Sequence, residues 1–376
     1  MKFRVERDVL AEAVAWAARS LPARPTVPVL AGLLLEATAD GLVLSGFDYE
    51  VSGRVDLDAD VQDEGRVLVS GRLLADITRA LPAQPVQVTT DGAKVVVTCG
   101  SARFTLMTLP VDDYPTLPAM PSGSGTVASG VFATAVAQVA IAAGRDDTLP
   151  PLTGVRVEIE GDTVTLAATD RYRLAVRELP WTPETSGLSA TALVPARTLA
   201  DTAKALAGAG EVLVALSGGE GGETLIGFEG DGRRTTTRLI DGEFPKYRAL
   251  LPNESATLAT IETAAFVEAV KRVALVAERN TPVRLSFSDG QVVLDASSGD
   301  EAAASESVET SLTGDDISIA FNPQYLLDGL GAVDSPWVQL AFTTSTKPAV
   351  LTGKKDADAD ADESYRYLLM PVRISG

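Results

Sequence analysis

The chain has 376 residues, of which 45% are hydrophobic, and this length suits two or three globular domains of ordinary size. It contains no histidine and one cysteine, which excludes histidine-dependent catalysis, an internal disulfide and a zinc site of the usual nitrogen and sulfur type. The formal net charge of −19 argues against bulk attraction to nucleic acid, because phosphate binding needs lysine and arginine.

The N-terminus lacks the pattern of a secretory signal. Charged residues interrupt its apolar stretch at Glu6, Arg7, Asp8 and Glu12, and no run of about 18 apolar residues occurs anywhere in the chain. We therefore expect a globular cytoplasmic protein that does not bind membranes. The single Cys99 ends a β-prone run and is expected to be a small buried hydrophobe.

The first third of the chain has the pattern of two helices and several short strands. In chain order, the predicted elements are a helix over residues 9–21, strands over 33–35 and 42–44, a helix over 72–81 and a hairpin over 86–98. In the first helix, apolar residues recur at the 3.6-residue period on one stripe, formed by Val9, Leu10, Ala13, Val14, Trp16 and Ala17.

The same order of elements occurs twice more. Helices are predicted over residues 131–143, 197–206, 266–277 and 323–330, with β-prone runs and turn dipeptides between them. A segment at residues 68–76 (LVSGRLLAD) recurs at 193–201 and, more weakly, at 320–328. The last residues of successive copies lie 125 and 127 positions apart, a period of domain size. The chain is therefore predicted to contain three similar domains.

Proline-rich segments mark the boundaries of these units, because proline cannot donate a hydrogen bond within a sheet. They follow residues 106–109 and 238–240, and the Gly-, Ser- and Pro-rich stretch 121–130 has the composition of a linker. The predicted domains are residues 1–120, 121–253 and 254–376.

Basic residues recur in pairs on the predicted helices. Each pair is spaced by seven residues, or two helical turns, and so shares one face: Arg72 and Arg79, Arg197 and Lys204, and Arg272 and Arg279. Recurrence in all three units favours a function for these faces over incidental surface charge.

Five segments together resemble the β sliding clamp family, the β subunits of bacterial DNA polymerase III, over essentially the full chain. They are residues 1–7 (MKFRVER), 24–30 (RPTVPVL), 169–176 (TDRYRLAV), 241–248 (DGEFPKYR) and 370–373 (MPVR). The alanine-rich, acidic composition resembles that of actinobacterial members. Two positions differ from a familiar member: Pro150-Pro151 stands where aromatic residues occur, and Arg171-Tyr172 where glycine and histidine occur.

The resemblance implies an α+β protein with three repeated domains of the DNA-clamp fold, each with two helices and two antiparallel sheets. It further implies a head-to-tail dimeric ring around duplex DNA, a non-catalytic processivity role, and no cofactor or metal. Partners would be the replicative polymerase catalytic subunit, the clamp loader, and other polymerases and repair proteins carrying a Gln-Leu-x-Leu-Phe-like segment.

The resemblance also assigns residues to three surfaces. DNA-facing cations are Arg24 and the six paired residues above. The dimer interface comprises Arg103, Phe104, Leu106, Leu275, Asp300, Glu301 and Glu306. The partner-peptide groove is lined by Leu152, Thr169, Arg171, Tyr172, Arg173, Leu174, Pro245, Leu250, Tyr325, Met370, Pro371, Val372 and Arg373.

Two other classes of protein remain open from the residues alone. One is an enzyme that uses carboxylates such as Asp48, Asp170 and Asp241 for acid–base chemistry without histidine. The other is a multi-domain adhesion or scaffold protein. The Asp-rich tract 354–363 lacks the glycine of a calcium-binding loop, and residues 218–222 lack the lysine of a phosphate loop, so both are expected to be hairpin tips.

Overall fold

The structure, a computed structural model, describes residues 1–217, 225–252, 254–277, 281–298 and 301–373. The chain divides into two compact units. Unit 1 comprises Met1–Ala133, Trp181–Val194 and Asp201–Leu239, and unit 2 comprises Thr134–Pro180, Pro195–Ala200 and Ile240–Gly376. The Gly-rich segment 218–222, Arg279 and Asp300 lie outside the described residues.

The α-helices lie where the apolar periodicity predicts them. Within the described residues they are α1 Arg7–Ala17, α2 Gly71–Ala80, α3 Ser129–Ala140, α4 Ala196–Ala205, α5 Thr263–Val273 and α6 Pro323–Ala332. Short 3-10 turns continue α1 over Ala18–Ser20 and α5 over Ala274–Val276, which accounts for the longer predicted helices 9–21 and 266–277.

The strands are short, and the pairings described below are antiparallel. In the first half of the chain they are β1 Lys2–Val5, β2 Gly32–Thr38, β3 Gly41–Phe47, β4 Val51–Leu57, β5 Asp60–Asp63, β6 Gly65–Ser70, β7 Val86–Asp91, β8 Lys94–Cys99, β9 Ala102–Leu109, β10 Gly123–Ala128, β11 Gly154–Glu160, β12 Thr163–Thr169 and β13 Arg173–Pro180. In the second half they are β14 Thr182–Pro183, β15 Ser189–Pro195, β16 Glu211–Leu216, β17 Leu225–Gly230, β18 Arg233–Arg238, β19 Thr257–Glu262, β20 Val283–Ser288, β21 Gly290–Ser298, β22 Ala302–Thr313, β23 Ile317–Phe321, β24 Trp337–Phe342, β25 Ala349–Lys354 and β26 Asp362–Leu369. The predicted α+β class is confirmed.

Unit 1 is built on one antiparallel sheet with the strand order β14-β10-β16-β17-β18-β4-β3-β2-β6-β9-β8-β7-β1-β5. The sheet crosses from the first repeat to the second, because β4 pairs with β18 from Val51↔Thr237 to Val55↔Arg233. At this joint the buried hydroxyls of Ser52 and Thr236 lie 2.6 Å apart and share a hydrogen bond. Main-chain pairing therefore joins the two repeats without a linker between their sheets.

Residues 121–130, predicted to be a linker, are instead mostly structured. Gly123–Ala128 form β10, which pairs in register with β16 from Gly123↔Leu216 to Ala128↔Glu211. The prediction was wrong because glycine and serine keep full main-chain hydrogen-bonding capacity, and a partner strand compensates for their weak β propensity.

In unit 2, the strands follow one another in the order β11-β12-β13-β26-β25-β24-β19-β22-β21-β20-β23. Here too the pairing crosses repeats, because β13 of the second repeat pairs with β26 of the third from Arg173↔Leu369 to Arg177↔Tyr365. The end of β12, the start of β13 and the end of β26 are thereby brought together.

The helices pack their apolar faces on the sheets. In unit 1, α1 contacts α2, β3 and β4 and buries Leu10 and Val14, at 1% and 0% exposed. Full burial of such side chains stabilises the fold by about 1.5–3 kcal/mol each. Cys99 is buried at the end of β8, as predicted. Among the described residues, no helix combines the length and apolar composition needed to cross a bilayer.

Helix α6 is defined by strong local signals. The Asn322 side chain accepts hydrogen bonds from the backbone N–H groups of Gln324 and Tyr325, and Pro323 occupies the first turn. Further along, Gly329 lies against the ring of buried Tyr367 so closely that an added Cβ would overlap the ring. The helix can approach β26 only because residue 329 has no side chain.

We expect Gly329→Ala to destabilise unit 2 by about 1–3 kcal/mol, because the added methyl group must displace an aromatic ring in a packed core. Gly331→Ala, on the same helix with open space around its Cβ, is the matched control. It should leave stability unchanged or raise it by about 0.5 kcal/mol through helix propensity. Thermal unfolding of both variants tests this, and equal melting temperatures would contradict the packing constraint.

Candidate functional site

Unit 2 contains a cavity of about 590 Å³ where the second and third repeats meet. Its wall comes from the segment after α3, the turn between β12 and β13, and the first turns of α6. The lining residues are Ala143, Gly144, Arg145, Asp146, Leu149, Leu152, Asp170, Arg171, Tyr172, Arg173, Gln324, Tyr325 and Asp328. This mixture of apolar surface and a few polar groups is typical of ligand sites.

The turn between β12 and β13 is held by hydrogen bonds from its own side chains. Asp170 Oδ1 accepts from the backbone N–H groups of Tyr172 and Arg173, at 3.0 and 3.1 Å. The hydroxyl of Thr169 donates to the Arg173 carbonyl at 2.6 Å and accepts from Arg171 N at 3.2 Å. Arg171 has φ +80°, a left-handed conformation that favours glycine. The turn is thus fixed even though a bulky residue stands at its strained position.

Arg173 is the charged centre of the site. Its side chain is 7% exposed and forms ion pairs with two carboxylates, through Nε to Asp170 Oδ2 at 3.0 Å and through Nη1 to Asp328 Oδ2 at 2.5 Å. Burial by itself would lower the pKa of Arg173, but Tyr367 and the two carboxylates outweigh it and raise the pKa above its usual range. A permanently charged guanidinium therefore joins the turn of the second repeat to α6 of the third.

Two tyrosine rings form the wall beside this guanidinium. The Arg173 guanidinium lies over the ring of Tyr325, 4.4 Å from its centroid. The Tyr172 ring stacks on the Tyr325 ring, with a centroid distance of 6.2 Å and an interplanar angle of 24°. Burial, together with the Asp170 carboxylate, raises the pKa of Tyr325, so its hydroxyl stays protonated at neutral pH. Tyr172 is 54% exposed and offers an aromatic face to a ligand.

Another part of the cavity wall is the loop after α3. Asp146 Oδ1 accepts from both the N–H and the hydroxyl of Thr148, and these bonds hold the pKa of the Asp146 carboxyl below its ordinary value. Gly144 N donates to the Leu152 carbonyl at 2.7 Å, where a 3-10 turn over Pro150–Thr153 leads into β11. The Pro150-Pro151 pair therefore shapes the loop that carries Leu152.

The predicted groove residues fall into several locations. The cavity is lined by Leu152, Arg171, Tyr172, Arg173 and Tyr325. Thr169 and Leu174 are buried beside it, at 4% and 1% exposed. Met370 is 40% exposed, and its N–H donates to the Tyr172 carbonyl at 2.9 Å, while Val372 N donates to Ala320 O at 2.8 Å. Pro371 is half-buried and Arg373 exposed.

The last two predicted groove residues lie on a separate segment. Pro245 lines a second cavity of about 320 Å³, and Leu250 is 50% exposed and lines neither cavity. Buried Glu158 anchors this segment by accepting hydrogen bonds from the Tyr247 hydroxyl at 2.8 Å and from Arg248 Nη2 at 2.6 Å. Although burial opposes it, hydrogen bonding from Arg156 and Tyr247 and the charge of Arg248 lower the Glu158 pKa overall. Gly242, a few residues before Pro245, lies against Pro151, so this segment approaches the loop that carries Leu152.

Eight of the 13 residues that line the cavity were not predicted from the sequence as groove residues. They are Ala143, Gly144, Arg145, Asp146, Leu149, Asp170, Gln324 and Asp328. The repeat gave one signal for Asp328, because this aspartate ends the third copy of the repeated segment. The corresponding Asp76 of the first copy is exposed beside Arg79, so position in the repeat did not by itself indicate a role in a site. The contact between Arg173 and Asp328 spans 155 residues and has no sequence signature.

The predicted DNA-facing cations differ in whether their side chains bind neighbouring groups of the protein. Arg24, Arg197 and Lys204 are exposed. Arg72 donates to the Pro22 carbonyl at 3.0 Å, and Arg79 lies 3.9 Å from Asp76. Arg272 is bound by both oxygens of Glu306, at 3.0 and 2.5 Å. Arg272 is therefore engaged in an exposed ion pair, and Arg279 lies outside the described residues.

The predicted dimer residues that the structure describes lie on β9 in unit 1, and on β22, the turn before it and the 3-10 turn after α5 in unit 2. Arg103 and Phe104 are exposed on β9, but Leu106 is 3% exposed within the core of unit 1. In unit 2, Leu275 is 84% exposed, and Glu301 is exposed just before β22, which carries Glu306. Asp300 lies outside the described residues. In the described part of the chain, no group of three or more acidic or cysteine residues could hold a metal ion.

Comparison with known proteins gives one consistent result. Models of the DNA polymerase III beta subunit match the N-terminal domain at residues 1–118, the central domain at 126–246 and the C-terminal domain at 248–373. The chain is 68% identical over 376 residues to the beta sliding clamp of Streptomyces coelicolor, with 100% of both covered. It is 56% identical over 314 residues to that of Micrococcus luteus, covering 83% of this chain and 100% of the relative. A crystal structure of the Pseudomonas aeruginosa sliding clamp bound to griselimycin is similar with a TM-score of 0.92 and 27% identity, covering 100% of both chains.

Proposed function

The chain belongs to the DNA polymerase III beta subunit family, the sliding clamps, and on that premise we propose that the cavity of unit 2 binds a short peptide segment of its partners. Membership confirms the predicted family, its actinobacterial relatives and the three repeated clamp domains. The protein is a processivity subunit rather than an enzyme. Its place of action would be the cytoplasm, at the replicating chromosome.

The observation that carries the peptide proposal is the aromatic wall of the cavity. Tyr172 presents an exposed face backed by Tyr325, and Leu152 adds apolar surface. A clamp of the same fold binds griselimycin, which supports a ligand site on this family. Met370, tied to Tyr172 through its N–H, is an adaptable apolar side chain suited to several partners.

A Gln-Leu-x-Leu-Phe segment fits this surface in chemistry and in affinity. Burying its Leu and Phe would contribute about 1.5–3 kcal/mol each, much of it offset by ordering the peptide. Affinity for one segment is therefore about micromolar. One groove would then serve several competing partners: the polymerase catalytic subunit, the clamp loader and the repair proteins that carry such a segment.

We expect Tyr172→Ala to weaken binding of a fluorescein-labelled Gln-Leu-Ser-Leu-Phe peptide by about tenfold, because an exposed aromatic anchor is lost. Tyr49→Ala is the matched control, since Tyr49 is 48% exposed on the corresponding turn of the first repeat. Fluorescence anisotropy measures both dissociation constants. Equal affinity of the two variants would show that the peptide binds elsewhere.

The proposed head-to-tail dimer is supported by the pattern of strand pairing between repeats. The first repeat joins the second through β4 and β18, and the second joins the third through β13 and β26. The corresponding strands at the two ends are β22 and β9. Within unit 2, β22 pairs with β21 along Ala302–Thr310, and within unit 1, β9 pairs with β8 along Ala102–Met107. Among the described residues, the other edge of each strand has no ladder partner along these two stretches, although β9 also pairs with β6 at Thr108–Leu109 and β22 with β19 at Ser311–Thr313. A second copy would pair the two open stretches.

The side chains beside these two edges are complementary. The first repeat offers Arg103, Phe104 and Met107, the last of which is 62% exposed. The third repeat offers Leu275 with Glu301 and Glu306. An apolar centre with opposite charges around it is typical of stable interfaces. Leu106 is left out of this contact because it is already buried in its own unit.

We expect Phe104→Asp combined with Leu275→Asp to convert the dimer into a monomer, because each change buries an unpaired carboxylate in the interface. Leu73→Asp, at an exposed apolar position on α2, is the control and should remain dimeric. Sedimentation velocity at micromolar concentration distinguishes the two states. A wild-type chain that sediments as a monomer at every concentration would contradict the dimer.

DNA would be held by the closed ring rather than by strong attraction. Of the proposed cations, Arg24, Arg197 and Lys204 are exposed, whereas Arg272 is already paired with Glu306. A few unpaired cations give weak, sequence-independent contacts to phosphates, which suits a protein that must slide. The net charge of −19 opposes adhesion to DNA elsewhere.

We expect protein loaded onto a nicked circular duplex to be retained in gel filtration, and to be lost when a restriction enzyme linearises the circle. Incubation without the enzyme is the control. Unloaded protein should bind linear duplex poorly in physiological salt, because few phosphates are neutralised. Nanomolar binding to linear DNA by the unloaded protein would contradict retention by topology.

A further inference from the structure

The turn that borders the cavity is built twice in the chain. At Asp48–Val51 in unit 1, Asp48 Oδ1 accepts from the N–H groups of Glu50 and Val51, at 2.9 and 2.6 Å. Asp170 makes the same two bonds within its own turn in unit 2. The second residue of each turn has a left-handed backbone, with φ +75° at Tyr49 and +80° at Arg171.

The strand that crosses from the next repeat also meets both turns in the same way. Arg238 N donates to Glu50 O at 3.0 Å, and Met370 N donates to Tyr172 O at 2.9 Å. The two joints therefore share one backbone design. Differences in what they bind must come from their side chains.

The decisive difference is the fourth residue of the turn. It is Val51 in the first repeat and Arg173 in the second. Arg173 is nearly buried, so its charge requires partners, and it has Asp170 from its own turn and Asp328 from α6. Asp328 uses both oxygens, since Oδ1 also accepts from Gln324 Nε2 at 2.8 Å.

The position of Asp328 determines where the guanidinium lies. Asp328 follows Tyr325 by one helical turn, so an arginine bound to its carboxylate is drawn over the Tyr325 ring. The Tyr367 hydroxyl adds a hydrogen bond to the Tyr325 carbonyl at 2.8 Å. The backbone of Tyr325 is thus held by Tyr367, its ring is contacted by the Arg173 guanidinium, and Tyr172 stacks on the same ring.

We propose that Asp328 is the positioning residue of the peptide groove: it holds Arg173 against Tyr325 and thereby fixes the Tyr172–Tyr325 stack that receives the peptide. This inference rests on the proposed peptide-binding function. Asp328 acts through Arg173, and its own contact with the peptide is not required. Preorganised walls bind more tightly because less ordering is left to the moment of binding.

The test uses the full chain and the labelled Gln-Leu-Ser-Leu-Phe peptide. Asp328→Asn keeps the shape of the side chain but removes its charge, and we expect binding about tenfold weaker. Asp201→Asn changes the exposed aspartate at the corresponding position of the second copy of the repeated segment, and should bind within about twofold of wild type. In the Arg173→Met background, Asp328→Asn should have no further effect on the dissociation constant.

A second measurement separates positioning from general stability. In the full chain, isotope-labelled at the tyrosine rings, the NMR resonances of the Tyr172 and Tyr325 rings should shift in the Asp328→Asn variant and stay in place in the Asp201→Asn variant. Unshifted rings, wild-type affinity of Asp328→Asn, or an undiminished effect in the Arg173→Met background would each overturn the positioning role. If the wild-type chain does not bind the peptide at all, the proposed peptide-binding function is contradicted. That outcome is distinct from a failure of the positioning role of Asp328.

Discussion

Hydrogen bonding between strands of successive repeats is the constraint on which the rest of the structure depends. An isolated repeat would expose an edge of unpaired main-chain groups, and β4 with β18, then β13 with β26, satisfy these edges inside the chain. This pairing carries each sheet across a repeat boundary. Among the described residues, it also leaves Ala102–Met107 of β9 and Ala302–Thr310 of β22 with one unpaired edge in their own units, which is the physical basis of the proposed dimer.

The second of these joints also forms part of the proposed peptide site. Where a strand of the next repeat reaches the turn after β3 or β12, a left-handed residue and an aspartate cap shape the backbone. At the second joint a buried arginine is added, and burying a charge is costly unless it is paired. The two carboxylates that pair it come from different repeats, Asp170 and Asp328. At this second joint, the paired guanidinium lies against Tyr325, and the Tyr172 and Tyr325 rings stack beside it.

The distribution of charge suits the weak contact with DNA that we propose. The chain has 51 acidic and 32 basic residues, and several cations on the helices are bound by neighbouring groups. Arg272 is held by Glu306 and Arg72 by a carbonyl oxygen. Since exposed ion pairs exchange readily with solvent and other ions, such cations can touch phosphates without fixing the protein in one place.

The sequence by itself determined the threefold repeat, the positions of the six α-helices found in the described residues and the absence of histidine chemistry, because these follow from periodicity and composition. It also located five residues of the cavity wall through the family resemblance. The tertiary structure decided the rest, because strand partners and side-chain directions depend on long-range pairing. Gly123–Ala128 became a strand only through β16, and Leu106 and Leu174 turned inward through their register. The bond between Arg173 and Asp328 exists only because folding brings together residues 155 positions apart.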